Sequence, residues 1–121
     1  MFERKILVVD DEKDLVEMLV FRLEACGYKA IFAYDGKSAL EKAEKEKPDL
    51  IILDITMPIM DGFEVLRRLQ SNAKTKDTPV IMLTCKGESK AIFRAQGLGA
   101  ADYVIKPFDS SELLKIIKRY I

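Results

Sequence analysis

The amino-acid sequence predicts an α/β fold in which a parallel sheet is covered by helices on both faces. Two observations carry this. Short apolar runs alternate with amphipathic segments five times along the chain, as they do in successive βαβ units joined by right-handed crossovers. The best defined runs are continuously apolar, which is how strands read when both faces of a sheet are buried. A length of 121 residues suits one such domain, and we expect a single unit over 1–121.

The elements follow in order. Ile6 to Val9 is the first strand. The first helix places Leu15, Val16, Leu19, Val20 and Leu23 at helical spacing and stops at Gly27, a good residue just past a helix end. Lys29 to Tyr34 forms the second strand. Asp35-Gly36 then turns the chain into a helix that carries Ala39, Leu40 and Ala43 inward. The tail of that helix, "EKAEKEKPD", reads as a solvated charged face closed by Pro48. Leu50 to Leu53 is the third strand. The third helix starts from about Phe63 and buries Val65, Leu66 and Leu69, with Asp61-Gly62 as the turn and cap that open it. Val80 to Leu83 is the fourth strand, the fourth helix lies within "GESKAIFRAQGLG", and Tyr103 to Ile105 is the short fifth strand. The last helix opens with "DSSE": Asp109 can cap it, Glu112 can complete a capping box, and Leu113, Leu114, Ile116 and Ile117 turn inward.

Composition excludes several function classes. Twenty basic and twenty acidic residues cancel, so no global basic field draws the chain to nucleic acid or to an anionic membrane. No apolar run approaches the ~20 residues of a membrane span, and the start lacks the apolar core of a signal peptide, so a cytoplasmic protein is expected. Cys26 and Cys85 form no CxxC pair, which argues against a disulfide framework or a zinc site; Cys26 is expected to pack at a helix end and Cys85 to act as a small filler. Histidine is absent. That removes the commonest general base and any phosphohistidine chemistry within this chain.

In doubly wound sheets ligands bind beyond the carboxyl ends of the strands. Four of the five predicted strands end there in polar residues: Asp10-Asp11, Asp54, Thr84, and Lys106-Pro107. Three converging carboxylates with reference pKa values of ~4 repel one another once ionised. A hard divalent cation relieves that repulsion, and a site of few oxygen ligands suits Mg2+, which commonly shares its shell with a phosphate. Lys106 adds a point charge and Thr84 a hydroxyl, a set that suits a phosphoryl group. An ionised aspartate can act as nucleophile without a base, in keeping with a chain that has no histidine.

The ordered set "ILVVDDE", "LIILDITMPIMDGFEVL", "VIMLT" and "GADYVIKPF" resembles the receiver domain of two-component response regulators over essentially the whole chain. The resemblance implies a flavodoxin-like (βα)5 fold with a five-stranded parallel sheet in the order 2-1-3-4-5. It implies that Asp54 is the phosphoacceptor, modified by transfer from a phosphohistidine of a sensor histidine kinase. Asp10, Asp11, Asp54 and the backbone carbonyl of Thr56 would hold Mg2+. Lys106 would pair with the phosphoryl oxygens, placed by a cis bond to Pro107. Thr84 and Tyr103 would be the switch residues, and the surface of helix 4, strand 5 and helix 5 would change for a downstream effector protein, a fused output domain or a second copy. Such a domain is a signalling phosphoacceptor rather than a metabolic enzyme, catalysing only its own phosphoryl transfer and autodephosphorylation.

Three other readings stand beside it. A receiver-like module could signal by protein contacts without phosphorylation, although the complete acidic set argues against this. An aspartate-nucleophile, Mg2+-dependent phosphatase of the haloacid dehalogenase type would need a second acid two residues after Asp54, where this chain has Thr56. A flavodoxin would cradle its flavin phosphate in a Ser, Thr and Gly loop, where this chain has "DDEKD". Departures from the receiver pattern fall on regulation. Cys85 stands where a smaller residue is usual, and Thr56 and Lys86 occupy positions that tune acyl-phosphate hydrolysis. Ala91 and Ile92 replace frequent charges in helix 4, which we expect to be weakly held, with Gly97 near its end costing ~1 kcal/mol against alanine, and to show an apolar spot.

Overall fold

A computed structural model of the chain describes residues 3–85 and 89–121. Strands β1 (Lys5–Val9), β2 (Lys29–Ala33), β3 (Leu50–Asp54), β4 (Val80–Cys85) and β5 (Asp102–Lys106) alternate with helices α1 (Lys13–Ala25), α2 (Gly36–Glu46), α3 (Gly62–Ser71), α4 (Ser89–Gly97) and α5 (Ser110–Ile117). All pairings are parallel and the strand order is β2-β1-β3-β4-β5, the flavodoxin-like topology expected.

The continuous apolar runs arise because successive side chains of a strand serve opposite faces. Leu7, Val9, Ile51, Leu53, Val80 and Met82 join one core, with Ala39 and Ala43 of α2, Leu66 and Leu69 of α3 and Ala95 of α4. Ile6, Val8, Leu50, Ile52, Ile81 and Leu83 join the other, with Val16, Leu19 and Leu23 of α1 and Leu113 and Ile117 of α5. Full burial of each such aliphatic side chain is worth roughly 1.5–3 kcal/mol, so both faces hold the sheet firmly.

Local signals set the ends. Asp35 and Asp61 cap α2 and α3 by accepting from the N–H groups of Ser38 and Glu64. Past α1, Gly27 adopts φ +93°, a region that favours glycine. Asp109 caps α5 through the Ser111 N–H; the Glu112 N–H donates to the Asp109 carbonyl rather than to its side chain, and no return bond from the Glu112 side chain is found among the described residues, so Asp109 caps the helix without the expected capping box. Cys26 corrects the expectation of packing: it is the cap residue of α1 and faces solvent, as does Cys85 at the end of β4. In α4 only Ala95 is fully buried. Ala91 and Ile92 are half-buried, and the exposed apolar residue is Phe93, 75% accessible. No helix of the described residues is long and apolar enough to cross a membrane.

Candidate functional site at the carboxyl edge of the sheet

Register brings the polar strand ends together. Val9 pairs with Leu53, so Asp10, one residue on, stands beside Asp54 at the carboxyl edge. On the other side of β3, Asp54 pairs with Leu83, while Thr84 pairs with Ile105 and Cys85 with Lys106. Asp10, Asp11 and Asp54 each offer a carboxylate oxygen, and these three atoms lie within 4.8 Å of one another. Asp10 and Asp54 are buried; Asp11 is exposed and opens the cluster to water.

Lys106 ties the cluster together from β5. Its Nζ lies 2.8 Å from Asp10 Oδ2 and 3.3 Å from Asp54 Oδ1. The peptide bond to Pro107 is cis. Burial works against the ammonium charge, yet the hydrogen bond to Asp10 and the attraction of both aspartates hold the Lys106 pKa above its usual value. Asp54 moves the other way for a carboxyl: burial first, then repulsion by Asp10, pushes it up to about 6 against the pull of Lys106 and of the Thr56 N–H. It remains largely ionised at neutral pH and so keeps its nucleophilic oxygen.

Thr84 is buried, with its hydroxyl 3.5 Å from the Cys85 carbonyl. Thr56 is exposed in the loop after β3. Tyr103 is half-buried on β5, packed against the core shared with α2, α3 and α4. Met57 is buried and Met60 half-buried, both packed in the core below that loop. Lys86 lies outside the described residues.

One residue escaped sequence reasoning. Glu12 Oε1 stands 3.6 Å from Lys106 Nζ, and its backbone N–H donates to Asp10 Oδ1 at 2.9 Å. The signal was present in the third acid of "DDE", but nothing in the order of residues says which acid a distant lysine will meet.

The donor set fits a hard cation. One ammonium does not balance three carboxylates, all are hard oxygen donors, and the exposed Asp11 leaves room for water in the shell.

The chain matches known proteins throughout. The family model for the response regulator receiver domain matches residues 6–118. The alkaline phosphatase synthesis transcriptional regulatory protein PhoP of Bacillus subtilis (strain 168) is 46% identical over 115 residues, which cover 95% of this chain and 47% of the relative. The chain thus spans about half the length of that curated relative. Among solved structures, the Vibrio cholerae chemotaxis protein CheY4 superposes with a TM-score of 0.94 at 35% identity, covering 99% of this chain and 100% of the other. The receiver domain of a sensor histidine kinase from Pseudomonas aeruginosa PAO1, with a magnesium ion coordinated in its active site cleft, superposes with a TM-score of 0.89 at 28% identity, covering 98% of both chains.

Proposed function

The chain belongs to the response regulator receiver domain family, and from that premise we propose that it is a phosphorylation-dependent signalling switch whose Asp54 accepts a phosphoryl group from a phosphohistidine of a sensor histidine kinase. One observation carries the reading: Asp10, Asp11, Asp54 and Lys106 converge at the carboxyl edge of the sheet, with Asp54 ionised at neutral pH.

In the transfer, an Asp54 oxygen attacks the donor phosphorus. A P–O bond forms, the P–N bond to the imidazole breaks, and its electron pair stays with the imidazole nitrogen. Lys106 neutralises charge on the phosphoryl oxygens, and the Thr84 hydroxyl donates to one of them. Asp10, Asp11, Asp54 and the Thr56 carbonyl would hold Mg2+, which supplies further charge neutralisation. Discharge is the attack of water on phosphorus, which breaks the P–O bond, restores the Asp54 carboxylate and releases inorganic phosphate and a proton. The domain thereby catalyses only its own loading and unloading.

The output is a change of surface. Lys106 and Tyr103 share β5, and Thr84 is its neighbour on β4, so a phosphoryl group that draws on Lys106 and Thr84 biases the α4-β5-α5 face. A population shift of this kind needs only a few kcal/mol of preference for one state. Exposed Phe93 on α4 and Ile105 on β5 give that face apolar contacts for an effector, a fused output domain or a second copy. We read residues 1–121 as one receiver unit working in the cytoplasm.

The test is to incubate the chain with Mg2+ and acetyl phosphate and weigh it intact. The expected result is a gain of one phosphoryl mass that Asp54→Asn abolishes. No gain with any small donor or phosphohistidine kinase would sink the reading and leave a module that signals by contacts alone.

A further inference from the structure

Three of the helices are capped by aspartates that turn back onto their own first turn: Asp35 to the Ser38 N–H, Asp61 to the Glu64 N–H and Asp109 to the Ser111 N–H. At the start of α1 the same position is Glu12. Its backbone is extended, φ −83° and ψ 100°, as a cap requires, yet its side chain makes no capping hydrogen bond. It reaches across to strand β5 instead, placing Oε1 3.6 Å from Lys106 Nζ.

Lys106 is therefore shared among three acids. An ammonium has three N–H donors and no acceptor. Its Nζ donates to Asp10 Oδ2 at 2.8 Å and lies 3.3 Å from Asp54 Oδ1 on the buried side, and it lies 3.6 Å from Glu12 Oε1 on the solvent side. The inner partners are buried, whereas the Glu12 side chain is 67% exposed. The Glu12 backbone takes part as well: its N–H holds Asp10 Oδ1 at 2.9 Å, leaving Oδ2 for the lysine. An exposed ion pair of this kind is weak, so it competes for the ammonium without clamping it.

We infer that Glu12 is a positioning residue for Lys106: its carboxylate holds the ammonium toward the mouth of the site before transfer and yields it to the phosphoryl oxygens afterwards. The inference rests on the functional reading above and adds to it a competitor that lowers the affinity of the site for a phosphoryl group. Phosphoryl oxygens take the place of Glu12 at the outer face of Lys106, while Asp10 remains at the inner face. Because the competing pair is exposed, its removal changes affinity by about two- to fivefold.

Reach and charge can be separated. Glutamine at this position keeps the length and removes the charge; aspartate keeps the charge but is one methylene too short to reach Lys106 and is free to cap α1 as the other three aspartates do. The measurement is the Kd of beryllium fluoride, a tetrahedral phosphoryl analogue, in the presence of Mg2+, for the native chain, Glu12→Gln and Glu12→Asp. Both variants are expected to bind two- to fivefold more tightly than the native chain. If Glu12→Asp binds like the native chain, charge at the rim rather than contact with Lys106 sets the affinity, and the inference is overturned. It is equally overturned if neither variant differs from native. Absence of fluoride-dependent binding by the native chain identifies failure of the functional reading itself, seen before any variant is compared, and takes this inference with it.

Discussion

A Cβ placed on Gly62 would stand 2.3 Å from the backbone oxygen of Asp54 and 2.7 Å from the Cα of Ile55. The first residue of α3 is thus pressed against the backbone of Asp54, the proposed phosphoacceptor, and the Gly62 N–H donates to the Ile55 carbonyl at 2.7 Å. The contact is with backbone, which cannot swing aside, so Gly62→Ala must push α3 off the end of β3. The expected loss is about 2–3 kcal/mol, the upper range for overpacking a well-filled site, read as a fall in urea midpoint. Because the push falls on Asp54, the rate of phosphorylation by acetyl phosphate should drop as well. A variant with native stability would show that the helix start has slack that this approach denies.

The raised pKa of Asp54 gives stability a definite pH dependence. Its carboxyl titrates at about 6 in the fold against 3.8 in the reference state, so between those values the folded chain holds a proton that the unfolded chain has lost. Stability therefore falls as pH rises from about 4 to about 6 and levels off above, by an amount on the order of 3 kcal/mol at 1.36 kcal/mol per pKa unit. Asp54→Asn removes this penalty but also leaves Lys106 one partner fewer. It should be more stable than the native chain by about 1–3 kcal/mol at pH 8 and equal to it near pH 4, measured by urea unfolding with a chelator present. A variant less stable than native at pH 8 would mean that the Lys106 contact outweighs burial and repulsion at Asp54.

The architecture and the acidic cluster were legible for one physical reason. Strands buried on both faces have no room for a charge until they end, so Asp10 and Asp54 mark the carboxyl edge as surely as Val9 and Leu53 mark the interior. What stayed hidden depended on side-chain reach or on helix phase. Glu12 and Lys106 meet from opposite ends of the chain, and adjacent order in "DDE" does not distinguish a capping acid from one that crosses the site. On α4, a short helix that fully buries only Ala95, the apolar pattern does not fix which side faces out. Phe93, about 100° around the helix from Ile92, is the residue that solvent sees. Cys26 reads as packing in sequence because it is small and follows an apolar helix, yet a cap residue turns with the chain and faces water.

Magnesium should stabilise the ligand-free chain through the same carboxylates. A ligand that binds only the folded state at a hundredfold excess over its Kd adds about 2.7 kcal/mol. That gain should be smaller at pH 5 than at pH 8, because below about 6 the cation must displace a proton from Asp54. Chelation should reverse it, and Asp11→Asn should remove most of it while leaving the metal-free stability nearly native, since Asp11 is exposed. The check is a Mg2+ titration followed by melting temperature at both pH values. Equal stabilisation of the native chain and Asp11→Asn would place the ion elsewhere.

The loop that follows the site carries avoidable strain at Ile59. This residue has φ +70° and its side chain is fully exposed, although left-handed backbone crowds a β-branched Cβ and costs roughly 1–2 kcal/mol. Its neighbours hold it there: the Met60 N–H donates to the Pro58 carbonyl at 2.8 Å, and the Gly62 N–H to Ile55 closes the loop. Asparagine tolerates this conformation without glycine's loss of chain entropy, so Ile59→Asn should raise stability by about 1 kcal/mol. Ile59→Val keeps the branched Cβ and should gain nothing, which separates backbone strain from the simple removal of an exposed apolar group. Urea unfolding of the two variants reads the difference directly. If valine and asparagine stabilise equally, strain is not the cause; if asparagine destabilises, the backbone at position 59 carries no strain that a change of side chain relieves.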